Sequence, residues 1–514
     1  DVGLSVQARV FCDIVSSDLR ACMSRGERDA SCQSTTTTRR RTASPAPAVA
    51  AHSANSSGAP ASMVKEPWIL ARYVQCYLLM ASRVFQQAMR NTVAPLMVFI
   101  SEDLGIGVGQ TGMLLSATAA GYFFTQVPGG QLAEKFGSKI VITVALGLSA
   151  ICCILAPIGA DLFGVSGLWC IMAILGAVQG PLFPASFVAL SKWMPKAKSG
   201  MKDEKAWGTS MLDIGISIGS LLVIPVTNTV AGTAGWRMAL YVIGFTSLAF
   251  VVVWHLLSAE EPSTCSFISK EELEFLQINC PQPQQASKEA NARDKKQSVL
   301  GLPSHLAFRS GMWAVFISHM AFNFGAYYLT NWSPTYYADV LKVPNADAKY
   351  HLMMPHITNL ATKSLNPILI SLVDSLGISV LANRKLFTAF GFFMAAVTLF
   401  PVHQLRDFNP WISTVLFSAA NAFFGLTPSG FKANYLDITE KYVGSISGIG
   451  NALATVASWI GPQLVAFLLS RYQNWDLVLA SVGVANVLAA LFYLRYATVV
   501  PIEREINPST KKDE

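Results

Sequence analysis

Gly121–Lys139, GYFFTQVPGGQLAEKFGSK, is an apolar run that stops at Gly129-Gly130 and turns through a short polar link carrying Glu134, Lys135 and Lys139. The next stretch, Ile140 to Ala156, is apolar again. Lipid requires backbone polar groups to be satisfied within a helix and tolerates charge mainly at its edges. Apolar run, charged turn, apolar run is therefore the pattern of two membrane helices joined by a tight hairpin.

The rest of the chain is made of the same material. Of 514 residues, 52% are hydrophobic and 13% are charged, about half the charged share of a soluble protein. Many of its 36 glycines and 25 prolines lie in apolar segments, as they do in membrane helices. The net charge of +7 does not point to nucleic acid, because the basic residues lie mainly in short loops and in the N-terminal tail, where membrane topology accounts for them. Nine scattered cysteines without CxxC or Cys/His spacing indicate neither a disulfide framework nor a zinc site. Residues 31–62 are rich in Ser, Thr, Ala and Pro, contain Arg39-Arg40-Arg41, and belong to an acid-free stretch between Asp29 and Glu66. That composition predicts disorder over residues 1–65. It also fits an organelle transit peptide, with an ordinary cytoplasmic tail as the alternative.

At about 20 apolar residues per crossing, twelve spans are expected, near 72–98, 111–132, 139–159, 167–190, 207–230 and 237–257, then 312–337, 352–374, 384–402, 411–430, 443–469 and 476–497. The resulting map is a tail (1–65), an N-terminal six-helix bundle (66–257), a central hydrophilic loop (258–310), a C-terminal six-helix bundle (311–498) and a short tail (499–514). Within the central loop, ISKEELEFL (Ile268 to Leu276) reads as a short surface helix, followed by a mobile Gln/Lys/Ala-rich stretch. The loops after the even-numbered spans carry most of the Lys and Arg: Lys135 and Lys139, then Lys192 to Lys205, the central loop, Arg384 and Lys385, and Lys441. The positive-inside rule places these loops and both termini in the cytosol, or in the stroma for a plastid inner-envelope carrier.

Gly130-Gln-Leu-Ala-Glu134-Lys135-Phe-Gly137-Ser-Lys139 resembles the G-x-x-x-D-[RK]-x-G-x-[RK] loop of the major facilitator superfamily, with Glu134 where Asp is usual. Glycine permits close helix approach and a sharp turn, and an acid can cap a neighbouring helix N-terminus. Such contacts would hold one conformation and release it, so Gly130, Glu134, Lys135, Gly137 and Lys139 are expected to form a conformational-switch loop. GYFFTQVPGG is similar to the GY-x-x-TQ-x-PGG of the anion:cation symporter branch, which includes plant plastid phosphate transporters, vesicular glutamate transporters and sialin. GPLFPASFVALSKWMP (Gly180 to Pro195), WSPTYYADVL (Trp332 to Leu341) and GFKANYLDITEKYVGSISGIGNALATVASWIGP (Gly430 to Pro462) carry the same resemblance over about residues 68–500. It implies an all-α fold of twelve transmembrane helices in two six-helix bundles, with substrate bound between them near the midplane.

Ionisable residues inside spans are costly and usually functional. In span 1, Arg83, Gln87 and Arg90 share a face at i, i+4 and i+7. Arg90 aligns with the family's span-1 arginine and is the first candidate for anion recognition, since a guanidinium grips carboxylate or phosphate with two parallel hydrogen bonds. The alternative is a structural pairing with a carboxylate such as Asp213. Arg83 either lines the cavity or snorkels. In span 8, His356, Asn359, Lys363 and Asn366 form a second stripe, with Lys363 supplying a second positive charge or pairing with a helix terminus or an acid. In span 7, Asn323 matches an asparagine of the plastid-phosphate group. Tyr327 and Tyr328 follow, to bind substrate or to pack, and His319 shares the Asn323 face. Gln179 and Leu115 stand where the glutamate carriers have a glutamate and a histidine, so coupling through Gln179 is not expected. Asp213 is the remaining acid inside the first-half spans and the candidate coupling residue. Asp374 and Asp437 are expected in span-end contacts.

The resulting expectation is a secondary active transporter moving inorganic phosphate or a small organic anion by alternating access, with Na+ or H+ as the co-transported ion and no other cofactor. A major facilitator carrier of a neutral solute and a non-transporting sensor are the alternatives. The chain is read as a monomer in the bilayer. The sequence lacks HExxH, DxD and P-loop motifs, which argues against an enzyme and against ATP-driven transport.

Overall fold

Each apolar segment forms a helix because lipid offers its backbone no other partner. A computed structural model describes residues 70–106, 108–195, 203–280, 298–299, 302–303 and 306–503. The N-terminal tail with its transit-peptide reading, Lys196, Lys198, Lys202, the Gln/Lys/Ala-rich stretch and most of the C-terminal tail lie outside the described residues.

Span 1 consists of α1 (Ala71–Asn91) and α2 (Val93–Leu104), and span 2 is α3 (Val108–Phe136). Spans 3 and 4 are α4 (Ser138–Gln179), folded on itself, and α5 (Leu182–Trp193). Spans 5 and 6 are α6 (Glu204–Ala234) and α7 (Trp236–Leu257). The central loop holds α8 (Lys270–Asn279) and a two-rung antiparallel ladder, β1 (Ser298–Val299) with β2 (Leu302–Pro303). Span 7 is α9 (Ser310–Thr335), ending in a π turn at Tyr336–Val340, and span 8 is α10 (Asn345–Ser375). Span 9 is α11 (Val380–Leu399), span 10 is α12 (Pro410–Leu426) with α13 (Pro428–Asn434), and spans 11 and 12 are α14 (Val443–Tyr472) and α15 (Trp475–Tyr496). The fold is thus all-α, twelve spans in two bundles of six.

The breaks have local causes. Pro95 cannot donate to the carbonyl of Asn91, so span 1 interrupts at Thr92. Spans 3 and 4 fold back at Gly164, whose φ of +62° suits glycine. Pro428 leaves the carbonyl of Phe424 without its helical donor, and the Thr427 hydroxyl donates to it at 3.0 Å. Among the described residues, six helical stretches are long and apolar enough to cross a membrane, one of them Ser138–Trp193, which holds spans 3 and 4. α1 is more polar because Gln75, Arg83 and Gln86 turn inward and are buried.

In the first bundle α1 packs on α6, and α4 on α3 and α7. In the second, α9 packs on α14, α10 on α12, and α11 on α15. The bundles meet where α14 lies on α3 and α5, and where α6 lies on α10 and α13. The surface helix expected at ISKEELEFL is α8. Its Glu272 carboxylate accepts from the α1 N-terminus, from Ala71 N at 2.8 Å and Arg72 N at 3.1 Å. Arg72 also pairs with Glu204 at the start of α6, at 2.8 Å. The central-loop helix is therefore tied to the first bundle.

Candidate functional site

The Gly130–Lys139 loop lies at one end of the inter-bundle seam. A Cβ on Gly130 would fall 2.1 Å from the carbonyl oxygen of Gly444, and one on Gly444 would fall 2.4 Å from that of Gly130. Only glycine allows α3 and α14 to touch there. The Glu134 carboxylate accepts from Ser445 N at 2.8 Å and from Ser445 Oγ at 2.9 Å, capping the N-terminus of α14, the positive end of its dipole. Gly137 has φ of +95°. Beside it the Glu260 carboxylate caps α4 through Ser138 N and Lys139 N and pairs with Lys192 at 2.7 Å. Lys139 Nζ donates to Ser258 O at 2.6 Å, where α7 ends. Lys135 is exposed against the Phe136 ring.

At the same end a buried ion network joins the bundles through α6. Arg384 binds Asp203 with both terminal nitrogens and donates to Asp437 at 2.8 Å. Lys205 Nζ lies 3.1 Å from the other oxygen of Asp437 and donates to Leu436 O at 2.6 Å. Asp203 N donates to Asp374 at 2.7 Å. Burial works to raise the Asp437 carboxyl, but the two cations outweigh it and hold the group below the usual carboxylate range.

Further along the seam the contacts become weaker and polar. Asn451 of α14 donates to the Tyr122 hydroxyl at 3.0 Å and to Gln126, whose own amide donates to Thr455 at 3.0 Å. On the opposite side Ser210 meets Ser429 at 3.0 Å and Lys363 donates to Ser217 at 3.1 Å. These inter-bundle hydrogen bonds reach along the seam as far as Thr455, Ser217 and Lys363. Each of these is 12 or 13 residues from the loop end of its helix, about 20 Å by helical rise.

Between these two contact lines lies a cluster of charge. Asp213 of α6 pairs with Lys432 of α13 at 2.7 Å, and the Lys432 ammonium sits 5.0 Å from the centre of the Phe322 ring. Arg83 is within electrostatic reach of Asp213 and Arg90, and Lys363 of Asp213 and Lys432. Asp213, Arg83, Lys363 and Lys432 are all buried. Arg83 is held by Gln86 and faces the Phe183 ring. It therefore lies inside the protein and does not snorkel. Arg90, half-buried, stacks over the Tyr122 ring at 4.1 Å. The pairing considered for Arg90, with Asp213, is not made: the partner of Asp213 is Lys432. Lys363 takes a serine hydroxyl in place of an acid. Gln179 is buried and donates to the Gln86 carbonyl at 3.3 Å.

The span-8 stripe divides by role. Asn359 and Asn366 donate to the carbonyls of Asn421 and Gly425, each at 2.8 Å, so their amides fasten α10 to α12. Lys363, lying between them along the helix, reaches the other bundle. His319 is buried against Tyr435, 3.1 Å from its hydroxyl. Asn323 is half-buried and Tyr327 exposed. Among the described residues no hydrogen bond joins either to the charged cluster. Among the described residues no group of three or more His, Cys, Asp or Glu side chains is placed to hold a metal. Lys432 is absent from the candidates read in the sequence. Span 10 was expected to end at Gly430, whereas α13 carries the helix on to Asn434.

The Major Facilitator Superfamily model matches residues 79–462. Sheep sialin is 25% identical over 393 residues, covering 75% of each chain. The chloroplastic ascorbate transporter of Arabidopsis thaliana is 24% identical over 400 residues, covering 78% of this chain and 70% of that protein. A solved structure of a proton:xylose symporter bound to 6-bromo-6-deoxy-D-glucose superposes with a TM-score of 0.61 at 16% identity, over 84% of this chain and 97% of that one, which shows the fold. These relatives agree with the branch read from GYFFTQVPGG. The chain belongs to the major facilitator superfamily, as an integral membrane transporter and not an enzyme.

Proposed function

We propose that this transporter carries inorganic phosphate or a small organic anion by alternating access, coupled to Na+ or H+. The observation that carries the reading is the charge balance between the bundles: among the described residues, Arg83, Lys363 and Lys432 surround Asp213, with Arg90 in reach of Arg83. Several buried cations with one counter-charge are costly in a low-dielectric interior, and an anionic substrate offsets that cost. The similarity to a chloroplastic ascorbate transporter points the same way. Arg90 is the anion-recognition residue in this reading, with Lys363 and Arg83 supplying further positive charge. Asn323, Tyr327 and Gln179 line the path. The Gly130–Lys139 loop and the Arg384 network form the gate. With the loop end taken as cytosolic or stromal, the latched end of the seam faces inward. The carrier acts as a monomer, and a plastid inner envelope suits both the tail composition and the chloroplastic relative.

Uptake of labelled phosphate, ascorbate and succinate into proteoliposomes, with and without Na+ and pH gradients, tests this. Accumulation of at least one anion under one gradient is expected. Folded protein that moves none of them, or that moves a neutral sugar instead, overturns it.

A further inference from the structure

The Asp213–Lys432 pair has a geometry that a merely structural ion pair does not need. It bridges the bundles and so must adjust whenever they move. Only one oxygen of Asp213 is engaged: Oδ1 meets Lys432 Nζ at 2.7 Å, while Oδ2 is buried and has no hydrogen-bond partner among the described residues. An unpaired carboxylate oxygen in such surroundings is costly. Charged groups approach the carboxylate from several elements: Lys432 from α13, Arg83 from α1 and Lys363 from α10. His319 of α9 lies in reach of Lys432, and His356 of α10 in reach of Lys363. One turn further on the same helix face, Ser217 takes the Lys363 ammonium at 3.1 Å. A carboxylate held by one lysine, with two further cations in electrostatic reach, occupies the position that a bound carboxylate or phosphate oxygen would take.

We propose that Asp213 is the resident stand-in for the transported anion: it occupies Lys432 in the empty carrier, is displaced by the incoming anion, and leaves by taking one proton from the solution that the site faces. This rests on the anion-carrier reading and narrows its coupling ion to H+. The step balances. Asp213 carboxylate plus one proton gives the neutral acid, whose O–H is a donor, and the anion takes the vacated lysine. On release the anion departs, the acid returns its proton to the other side, and the carboxylate re-forms its pair with Lys432. One proton thus moves with each anion. The substrate class is a small oxyanion, carboxylate or phosphate, able to accept from Lys432 while other oxygens meet Lys363 and the arginines.

The first test uses wild-type protein in weakly buffered detergent solution at about pH 7.5, where carboxylates are ionised and ascorbate is a monoanion, with a phosphate signal corrected for phosphate's own buffering. Binding of the anion that gives the largest proteoliposome uptake should draw about one proton per anion from the medium, seen with a soluble pH dye. Asp213→Asn mimics the protonated acid. Its anion affinity should rise about tenfold, because no internal carboxylate competes for the lysine, and should lose its pH dependence. Asp213→Asn should also lose pH-driven accumulation, while labelled anion still exchanges for unlabelled. Lys432→Met should lose binding and exchange together. Anion uptake by wild type with no proton taken up on binding overturns the role of Asp213 and leaves the carrier reading standing. So does Asp213→Asn with wild-type pH-driven accumulation. A wild type that moves no anion overturns both.

Discussion

At the scale of single residues, the arginines and lysines between the bundles differ in what holds them. Arg83 is buried against Gln86 and Phe183, whereas Arg90 rests on the π face of Tyr122, half-exposed, with its guanidinium edge available. A cation on an aromatic face keeps its hydrogen-bond donors for a ligand. Arg90→Ala is expected to cut initial anion uptake by roughly ten- to a hundredfold, the loss of about 1.5–3 kcal/mol of charge-assisted hydrogen bonding. Arg90→Lys should recover little, since a point charge cannot bind two oxygens in parallel. Initial rates in proteoliposomes, normalised to monodisperse protein, check this, and unchanged rates in Arg90→Ala would remove Arg90 from the site. This much is legible from the sequence, because an arginine inside an apolar run stands out. Lys432 does not stand out: it lies just past the apolar stretch that defines span 10, and only the continuation of the helix through Asn434 places it among the spans.

At the scale of elements, the α3–α14 crossing depends on bare backbone. Gly130 and Gly444 leave no room for a methyl group, and the Glu134 carboxylate then reaches the α14 N-terminus. Gly130→Val should separate these helices, because its Cβ would sit 2.1 Å from a backbone oxygen that cannot move alone. Spin labels at the exposed positions Lys135 and Lys441 should report a longer distance between the bundles in Gly130→Val than in wild type. An unchanged distance distribution would mean that the contact does not hold the gate. The motif marked the loop as special from sequence. That its partner is the N-terminus of α14 could not be read, because Glu134 and Ser445 are 311 residues apart.

At the scale of the whole molecule, the loop end is bound by a branched ion network, and the midplane by the Asp213–Lys432 pair, the Lys363–Ser217 contact and neutral hydrogen bonds. The ion network at Arg384, Asp203, Lys205 and Asp437 sets the pH range over which the closed end persists. Asp437 is held below the ordinary carboxylate range, mainly because Arg384 and Lys205 outweigh the effect of burial. A carboxylate depressed in the closed state contributes stability above its unpaired value of about 3.9 and loses it as pH falls through the depressed one. The Asp437 share of closure, read with the same label pair as the difference between wild type and Asp437→Asn, should therefore stay constant from about pH 8 to about pH 5 and fall only below about pH 4. Opening near neutral pH would show that another group controls the gate. Arg384→Met should open this end at every pH, since it strands two buried acids at a cost of about 3–5 kcal/mol.

Sequence alone determined the twelve-span layout, the hairpin and the candidate cations of spans 1 and 8, because crossing lipid imposes a length and a polarity on each segment independently of its neighbours. Pairing was decided only by tertiary structure. Asp213 met Lys432 and not Arg90, Arg384 joined two acids on different bundles, and the stripe at Asn359 and Asn366 went to fastening helices. The reason is physical. Which buried charges neutralise one another depends on how two bundles dock, and in lipid that docking is governed by close packing and polar contacts between residues hundreds of positions apart. The hairpin at Gly121–Lys139 shows both: its helices follow from its own composition, and its contact across the seam from Gly444 and Ser445 on the far side.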